Sequence, residues 1–268
     1  MTMFEQSTRT ATGAHLEAVQ RQFRRQAEAY SAMPVVTDPE FLSYIVSISG
    51  VSKSDSVIDV ASGPGFVAMA FAPHCGRVIG IDATDRFVAR ATGEAERRRL
   101  DNVAFMLGDA EQMAFPDHAF DVAVCRFAFH HFPRPTVVLA EMRRLVRPGG
   151  TIVLVDMVAA EDPVKANYHN DLERLCDPSH ARALPASEFE RMFARQGLDL
   201  TYKQTVKSTY SLEDWIAHGA PTPDRAARIL EMMEASANED KSGLNVRITN
   251  GRLFFSHTGA SYVMRRRP

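Results

Sequence analysis

Residues Val57-Ile-Asp-Val-Ala-Ser-Gly-Pro-Gly-Phe66 decide the fold. An apolar, largely β-branched run passes straight into Gly-Pro-Gly, the pattern of a buried parallel strand that turns tightly into a helix. Gly63-Pro-Gly-Phe-Val-Ala68 fits G-x-G-x-x-G/A, so the turn suits a nucleotide-like ligand. The pattern by itself leaves a nicotinamide or flavin dinucleotide open.

Working outward from this turn, strand and helix patterns alternate. Strands are expected at 57–61, 77–81, 103–107, 121–126 and 151–156, with helices at 65–72, 85–100 and 135–146, the last ended by Pro148-Gly149-Gly150. Strands separated by helices of about ten to fifteen residues imply a parallel sheet with right-handed crossovers, hence a doubly wound α/β core. Ahead of it, Leu16, Val19, Phe23, Ala27 and Tyr30 recur at helical spacing over 14–30, and Thr37-Asp-Pro-Glu40 has the form of a capping box opening a second helix that runs to Gly50. Beyond the core, 157–184 is polar and helix-prone, 185–197 is an amphipathic helix, and 198–206 alternates like a strand. The segment 211–240 reads as helical with breaks at Pro221 and Pro223, before short closing strands at 244–248, 252–256 and 260–264. The expected organisation is a helical lid (1–50), a nucleotide-binding core (51–156), and a sheet-completing segment (157–268) with cap insertions at 157–184 and 207–250.

Charge narrows the partners. Lys and Arg number 31 against 33 Asp and Glu, and a pI near 6.5 supplies no basic field for a phosphate backbone. No N-P-P-Y or D-P-P-Y follows the fourth strand, and Arg265-Arg-Arg267 reads as a solvated tail, so nucleic acid is not expected as a partner. The N-terminus lacks a basic stretch followed by an apolar one, and no apolar run is long enough for stable membrane insertion. A cytoplasmic protein follows, with Cys75, Cys125 and Cys176 as reduced thiols. A homodimer is left open.

The carboxylates bear on the ligand. Asp59 lies in the strand before the turn, where it would repel a pyrophosphate and attract an ammonium or sulfonium. S-adenosylmethionine (SAM) carries both and no phosphate, and its own carboxylate can meet backbone N–H groups around Gly63 and Gly65. Asp82, ending the second strand in Gly80-Ile-Asp82, suits ribose hydroxyls with either ligand. Asp109 in Gly108-Asp-Ala-Glu111 is either an acceptor for the adenine amino group or a turn residue.

VIDVASGPG, GIDAT, GDAEQMAFPDHAFDVAVCRFAFHHFPRP and LAEMRRLVRPGGTIVLVD, in this order from Val57 to Asp156, resemble the class I SAM-dependent methyltransferases, in particular the small-molecule branch with the ubiquinone and menaquinone C-methyltransferases. Val19-Gln-Arg-Gln-Phe-Arg-Arg-Gln-Ala-Glu-Ala-Tyr30 is similar to the N-terminal helix of that branch. The resemblance implies a seven-stranded sheet ordered 3-2-1-4-5-7-6 with the last strand antiparallel. It also implies SAM as cofactor, S-adenosylhomocysteine (SAH) as product, and a small, apolar or aromatic methyl acceptor as partner. Asp59, Ala61, Gly63 and Gly65 would hold the methionine end, Asp82 beside Ala83 the ribose, and Asp109 with Ala110 the adenine. The Arg126 carbonyl would take the ammonium. Where Ala61 stands the family usually has glycine, which implies slight crowding unless the backbone there needs a positive φ.

Methyl transfer is an in-line displacement, so a base is needed only where the acceptor must lose a proton. His130 and His131, in Phe127-Ala-Phe-His-His-Phe132, are candidates for that base or else structural. Tyr30 would bind the SAM carboxylate or the acceptor, or serve in lid packing. His169, Asp177 and His180 show no metal-ligand spacing, and no metal is expected. Two other readings stay open: a non-methylating SAM- or SAH-binding member of the fold, and an NAD-dependent oxidoreductase.

Overall fold

The computed structural model describes residues 13, 15–24, 27, 28, 31 and 33–268. Residues 15–24 form helix α1, followed by α2 (Pro34–Thr37) and α3 (Pro39–Ser49). Then come β1 (Ser56–Val60), α4 (Phe66–Phe71), β2 (Arg77–Asp82), α5 (Asp85–Arg97), β3 (Val103–Leu107), β4 (Phe120–Arg126), α6 (Pro135–Leu145) and β5 (Val146–Ala159). The second half holds α7 (Pro163–Cys176), β6 (Leu184–Pro185), α8 (Ala186–Arg195), β7 (Leu198–Ser211), α9 (Leu212–Gly219), α10 (Pro223–Glu239), β8 (Arg247–Thr249) and β9 (Arg252–Arg266).

One sheet runs β3-β2-β1-β4-β5-β9-β7, with β6 on β5 and β8 on β9. Without those two short strands the order is 3-2-1-4-5-7-6. β1 to β5 are parallel, and β9 is antiparallel to both β5 and β7. The period of two along a strand sends alternate side chains into two cores. In β5, Ile152 and Leu154 pack with Leu139 and Met142 of α6 and Phe193 of α8. Val153 and Val155 face the other way, onto Ile45 of α3 and Phe71 of α4. Each such fully buried aliphatic side chain stabilises the sheet by about 1.5–3 kcal/mol, which locks the register and brings the carboxyl ends of β1, β2, β4 and β5 to one edge.

A third apolar cluster lies beyond that edge. Leu172 and Cys176 of α7 pack with Leu212 of α9, Ile229 and Met233 of α10, and Phe255 of β9. It forms a cap held on the long β7–β9 ribbon, whose pairing is traced from Leu198↔Arg266 to Ser211↔Phe254.

Local details differ from the sequence reading. Asp38, not Thr37, caps α3, accepting from the Glu40 N–H, while the Thr37 hydroxyl donates to the Met33 carbonyl. α6 stops at Leu145, because Val146 already pairs with Phe120 as the start of β5. The three closing strands are a short β8 and one long β9, whose pairing with β7 shifts register between Leu200 and Tyr202 and runs through Gly259 without interruption. β7 continues through Ser211, so the helices of the second cap segment begin at Leu212. The terminal arginines are not a loose tail: Arg266 donates to the Arg143 and Val146 carbonyls at the end of α6, and Arg267 pairs with Asp199. The three cysteines are buried and unbridged. Among the described residues, no helix is long and apolar enough to cross a membrane.

Candidate active site

The turn after β1 is built from three residues with positive φ: Ala61 (55°), Gly63 (52°) and Gly65 (82°). Only Ala61 and Gly63 face the cavity at the sheet edge. Gly65 is glycine for packing, since a Cβ there would lie 2.5 Å from the Phe105 ring and 2.8 Å from the Ala91 methyl. The backbone at Ala61 does take a positive φ, so the alanine sits in backbone space that glycine occupies at lower cost.

Asp59, expected at the methionine end, lies behind the turn and off the cavity wall. It is 1% exposed, and its Oδ2 accepts from the Ala68 N–H at 3.0 Å, tying β1 to the first turn of α4. Burial pushes its pKa up to about 7, against the Arg126 guanidinium and the Ala68 N–H, which favour the anion. Turned away from the cavity, and with burial outweighing the groups that favour its anion, it presents little charge to a ligand, which weakens the electrostatic argument drawn from the sequence. The amides expected to meet a ligand carboxylate are also engaged: Gly63 N–H donates to Asp82 Oδ2 at 2.8 Å and Gly65 N–H to the Ser62 carbonyl at 2.9 Å.

Asp82 does line the cavity. Its second oxygen accepts from the Thr84 N–H at 2.8 Å. These two bonds use about half of the carboxylate's acceptor capacity, leaving room for hydroxyls. Burial raises its pKa, against the Thr84 and Gly63 amides. Asp109 and Ala110 line the same cavity. Asp109 Oδ1 accepts from the Glu111 N–H at 2.9 Å, so the turn role is made and its other oxygen remains for a ligand.

Helix α1 crosses the mouth of this cavity. Gln20 donates to the Ala83 carbonyl at 2.9 Å, Arg24 pairs with Asp85 at 2.9 Å, and His15 Nε2 lies 2.8 Å from the His131 carbonyl. Phe23 packs edge-on against His131, with ring centroids 5.0 Å apart. Tyr30 lies outside the described residues.

The end of β4 forms the far wall. Arg126 lines the cofactor cavity and donates from its guanidinium to the Val36 carbonyl at 3.1 Å. A single turn at Phe129–His131 follows, held by Ala181 and Arg182, whose N–H groups donate to the His130 carbonyl at 2.8 and 3.0 Å. His130 Nδ1 lies 2.5 Å from Asp156 Oδ1, and its backbone N–H donates to the other carboxylate oxygen at 3.3 Å. Burial opposes charge on this ring, but Asp156 outweighs it and the net pKa is raised. His131 is driven down to about 4 by burial and by His130, while its Nδ1 meets the Ser179 carbonyl at 3.1 Å.

A second cavity of about 510 Å³ opens on the cap side of this wall. Phe23, Phe127 and His131 line both cavities, so a single layer of side chains separates them. The rest of its surface is mixed: Phe41, Val155 and Trp215 are apolar, while His130, Glu173, Asp177 and His257 carry titratable groups.

A methyltransferase-domain family profile matches residues 58–154. The uncharacterised methyltransferase YcgJ of Bacillus subtilis is 34% identical over 217 residues, covering 81% of this chain and 86% of that protein. The crystal structure of YcgJ superposes with a TM-score of 0.79 at 30% identity, over 85% of this chain and 99% of that one. A putative methyltransferase from Bacillus halodurans gives a TM-score of 0.81 at 29% identity, over 85% of this chain and all of that one. The chain belongs to the class I SAM-dependent methyltransferases.

SAM is the methyl donor of this methyltransferase, and the residues present fit it. The cavity offers three carboxylates, Asp82, Asp109 and Glu111, the last paired with Arg134, beside apolar walls from Ile81, Phe87 and Ala110, a set suited to hydroxyls, amines and a purine. The methyltransferase also has cap-side groups that sequence reasoning passed over. Asp156 was visible only as a strand end, and its pairing with His130 depends on the β4–β5 register, in which Arg126 lies opposite Val155. Glu173 and His257 are 84 residues apart and meet only through the cap, with Glu173 Oε1 2.7 Å from His257 Nε2 and 3.2 Å from His169 Nε2. Among the described residues, these three have metal-type ligand atoms within 4.8 Å of one another.

Proposed function

We propose that the methyltransferase transfers the SAM methyl group to an oxygen or carbon of a small, largely apolar or aromatic acceptor held in the cap-side cavity, with His130 as general base. The observation that carries this reading is the shared wall: Phe23, Phe127 and His131 border both cavities, so the two sites abut, and these side chains part for the acceptor atom to reach the methyl carbon in line. Bound SAM supplies an electrophilic methyl on a sulfonium. Asp82 holds the ribose and Asp109 with Ala110 the adenine, while the Arg126 carbonyl takes the ammonium. Ala61 and Gly63 shape the methionine end, with Asp59 acting through the turn. Asp156 accepts from His130 Nδ1–H, leaving Nε2 unprotonated toward the acceptor. From there Nε2 removes the acceptor's hydroxyl or enol proton as the methyl arrives, and Asp156 stabilises the imidazolium. His131, neutral at pH 7, forms the partition that helps exclude water.

Methyl-labelled SAM with a panel of phenols, quinols and polyketide-like acceptors tests the reaction. Tight SAM binding with no labelled product from any of them counts against an aromatic acceptor. Asp156→Asn tests the base. Because Asp156 raises the His130 pKa, the variant's rising kcat/KM limb should move to lower pH, with turnover down about 10²-fold. A limb that stays in place removes His130 from the role.

A further inference from the structure

Glu173 is an expensive residue to place where it is. It is 5% exposed, on α7, beside the apolar cap cluster, and it borders the acceptor cavity. Burial opposes its charge, but His257 and His169 hold it well below the usual carboxylate range. Both imidazoles approach the same oxygen, Oε1, through Nε2. The tautomers follow from the other nitrogens. His169 Nδ1 is buried with no partner among the described residues, and a buried bare nitrogen costs less than a buried orphan N–H. His169 is therefore an Nε2–H donor, and Glu173 is an anion that orients its neighbours. This argues against a metal, since a ligating His169 would put its proton on that orphan Nδ1. Donation from His257 Nε2–H to Glu173 leaves Nδ1 as the ring's second polar atom, on a ring that lines the cavity.

The acceptor cavity thus holds two carboxylate–imidazole pairs of the same design on different elements. Asp156–His130 stands at the sheet edge, and Glu173–His257 bridges α7 and β9. His130 and His257 line the same cavity, so one small molecule can address both pairs. Only one pair is needed for proton removal at the methylated position.

We propose that the Glu173–His257 pair is a second acceptor-anchoring site, which takes a hydroxyl of the acceptor onto His257 Nδ1 and so selects apolar ring systems bearing a second oxygen. The proposal rests on the assignment of the cap-side cavity to the acceptor. His257 touches the acceptor, Glu173 fixes its tautomer and orientation, and His169 completes the satisfaction of Glu173. No bond is made or broken at this site.

The test is a binding experiment on the SAH-loaded protein, independent of methyl transfer. Calorimetry compares 1-naphthol with the 1,3-, 1,5-, 2,6- and 2,7-naphthalenediols, which step the oxygen–oxygen separation. At least one diol should bind about tenfold more tightly than the mono-ol. His257→Ala should remove that preference while leaving 1-naphthol affinity within about twofold and SAH affinity unchanged. His257→Gln, which keeps an N–H toward Glu173 and an acceptor oxygen, should retain part of the preference and guards against simple misfolding. Equal binding of diols and mono-ol, no binding of any probe, or a preference that survives His257→Ala overturns the proposal. Stoichiometric metal in the purified protein overturns it too, by making the cluster a metal site. A diol preference without labelled-methyl transfer would leave this site standing and count against the proposed reaction on such acceptors.

Discussion

Four buried carboxylates divide the active site into two regions with different logic. At the cofactor edge, Asp59 and Asp82 are bonded to backbone amides, those of Ala68, Gly63 and Thr84. At the cap-side edge, Asp156 and Glu173 are bonded to imidazoles, those of His130, His169 and His257, with Asp156 taking the His130 and Met157 amides as well. A carboxylate on an amide fixes the shape of a loop. On an imidazole it fixes a tautomer and a proton affinity. The same residue type therefore shapes a loop on one side and, in the proposed reaction, sets proton chemistry on the other.

The largest expected effect breaks this division if it fails. His130→Ala should lower turnover by about 10²–10⁴-fold, the usual contribution of a positioned general base, while SAM affinity stays within about twofold. Calorimetry and single-turnover methyl transfer read the two quantities separately. Parallel losses in both would make His130 structural, and the acceptor edge would then follow the same logic as the cofactor edge.

Asp59 tests the other side through pH. Its folded-state pKa of about 7 lies above the ordinary value of 3.8, so the folded protein holds the proton more tightly than the unfolded chain. The associated stability is fully present below the unfolded pKa and lost as pH rises through 7. Between pH 5 and pH 8 the loss amounts to about 2–3 kcal/mol. Asp59→Asn removes this group's titration, so urea unfolding should show the variant gaining on the wild type by that amount over the same range. Equal pH dependence in both proteins would mean that Asp59 stays ionised, with Arg126 outweighing burial.

Legibility in the sequence follows the same boundary. The cofactor half of the fold was readable because its elements are local: β1 and its turn lie within ten residues, and the strand–helix alternation carries its own period. Asp82 and Asp109 fall at strand ends, where an adjacent turn predicts a ligand. What failed there was the direction of side chains around the turn, since Asp59 and Gly65 face the packed interior, a property set by contacts with Ala68, Phe105 and Ala91. The acceptor half is non-local. Asp156 meets His130 across a strand register, and His257 meets Glu173 only because the β7–β9 ribbon returns the chain to α7. No spacing in the sequence encodes either meeting.

A smaller effect is expected at Asp82. Removing a charge-assisted acceptor of ribose hydroxyls should weaken SAM by about 1–3 kcal/mol in Asp82→Ala, measured by calorimetry. The variant also leaves the Gly63 and Thr84 amides without their acceptor, so some loss of thermal stability accompanies it. Unchanged affinity would confine Asp82 to the shaping role already filled by Asp59.

The smallest effect is the sharpest probe of the cofactor edge as a mould. Ala61 has φ +55°, where an L-residue costs about 1–2 kcal/mol relative to a right-handed conformation. Glycine removes that cost but adds freedom to the unfolded chain, a penalty of roughly 0.5–1 kcal/mol. Ala61→Gly should therefore stabilise the protein by up to about 1 kcal/mol in urea unfolding. SAM affinity should change by less than about threefold, because the backbone already adopts the glycine-type conformation. A destabilised variant would mean that the Ala61 methyl, which packs against the core cluster containing Ile58 and Val60, contributes more than the backbone strain takes away. Alanine would then be a packed part of the turn, and the departure from the family's usual glycine a local repacking of the mould with the same ligand in view.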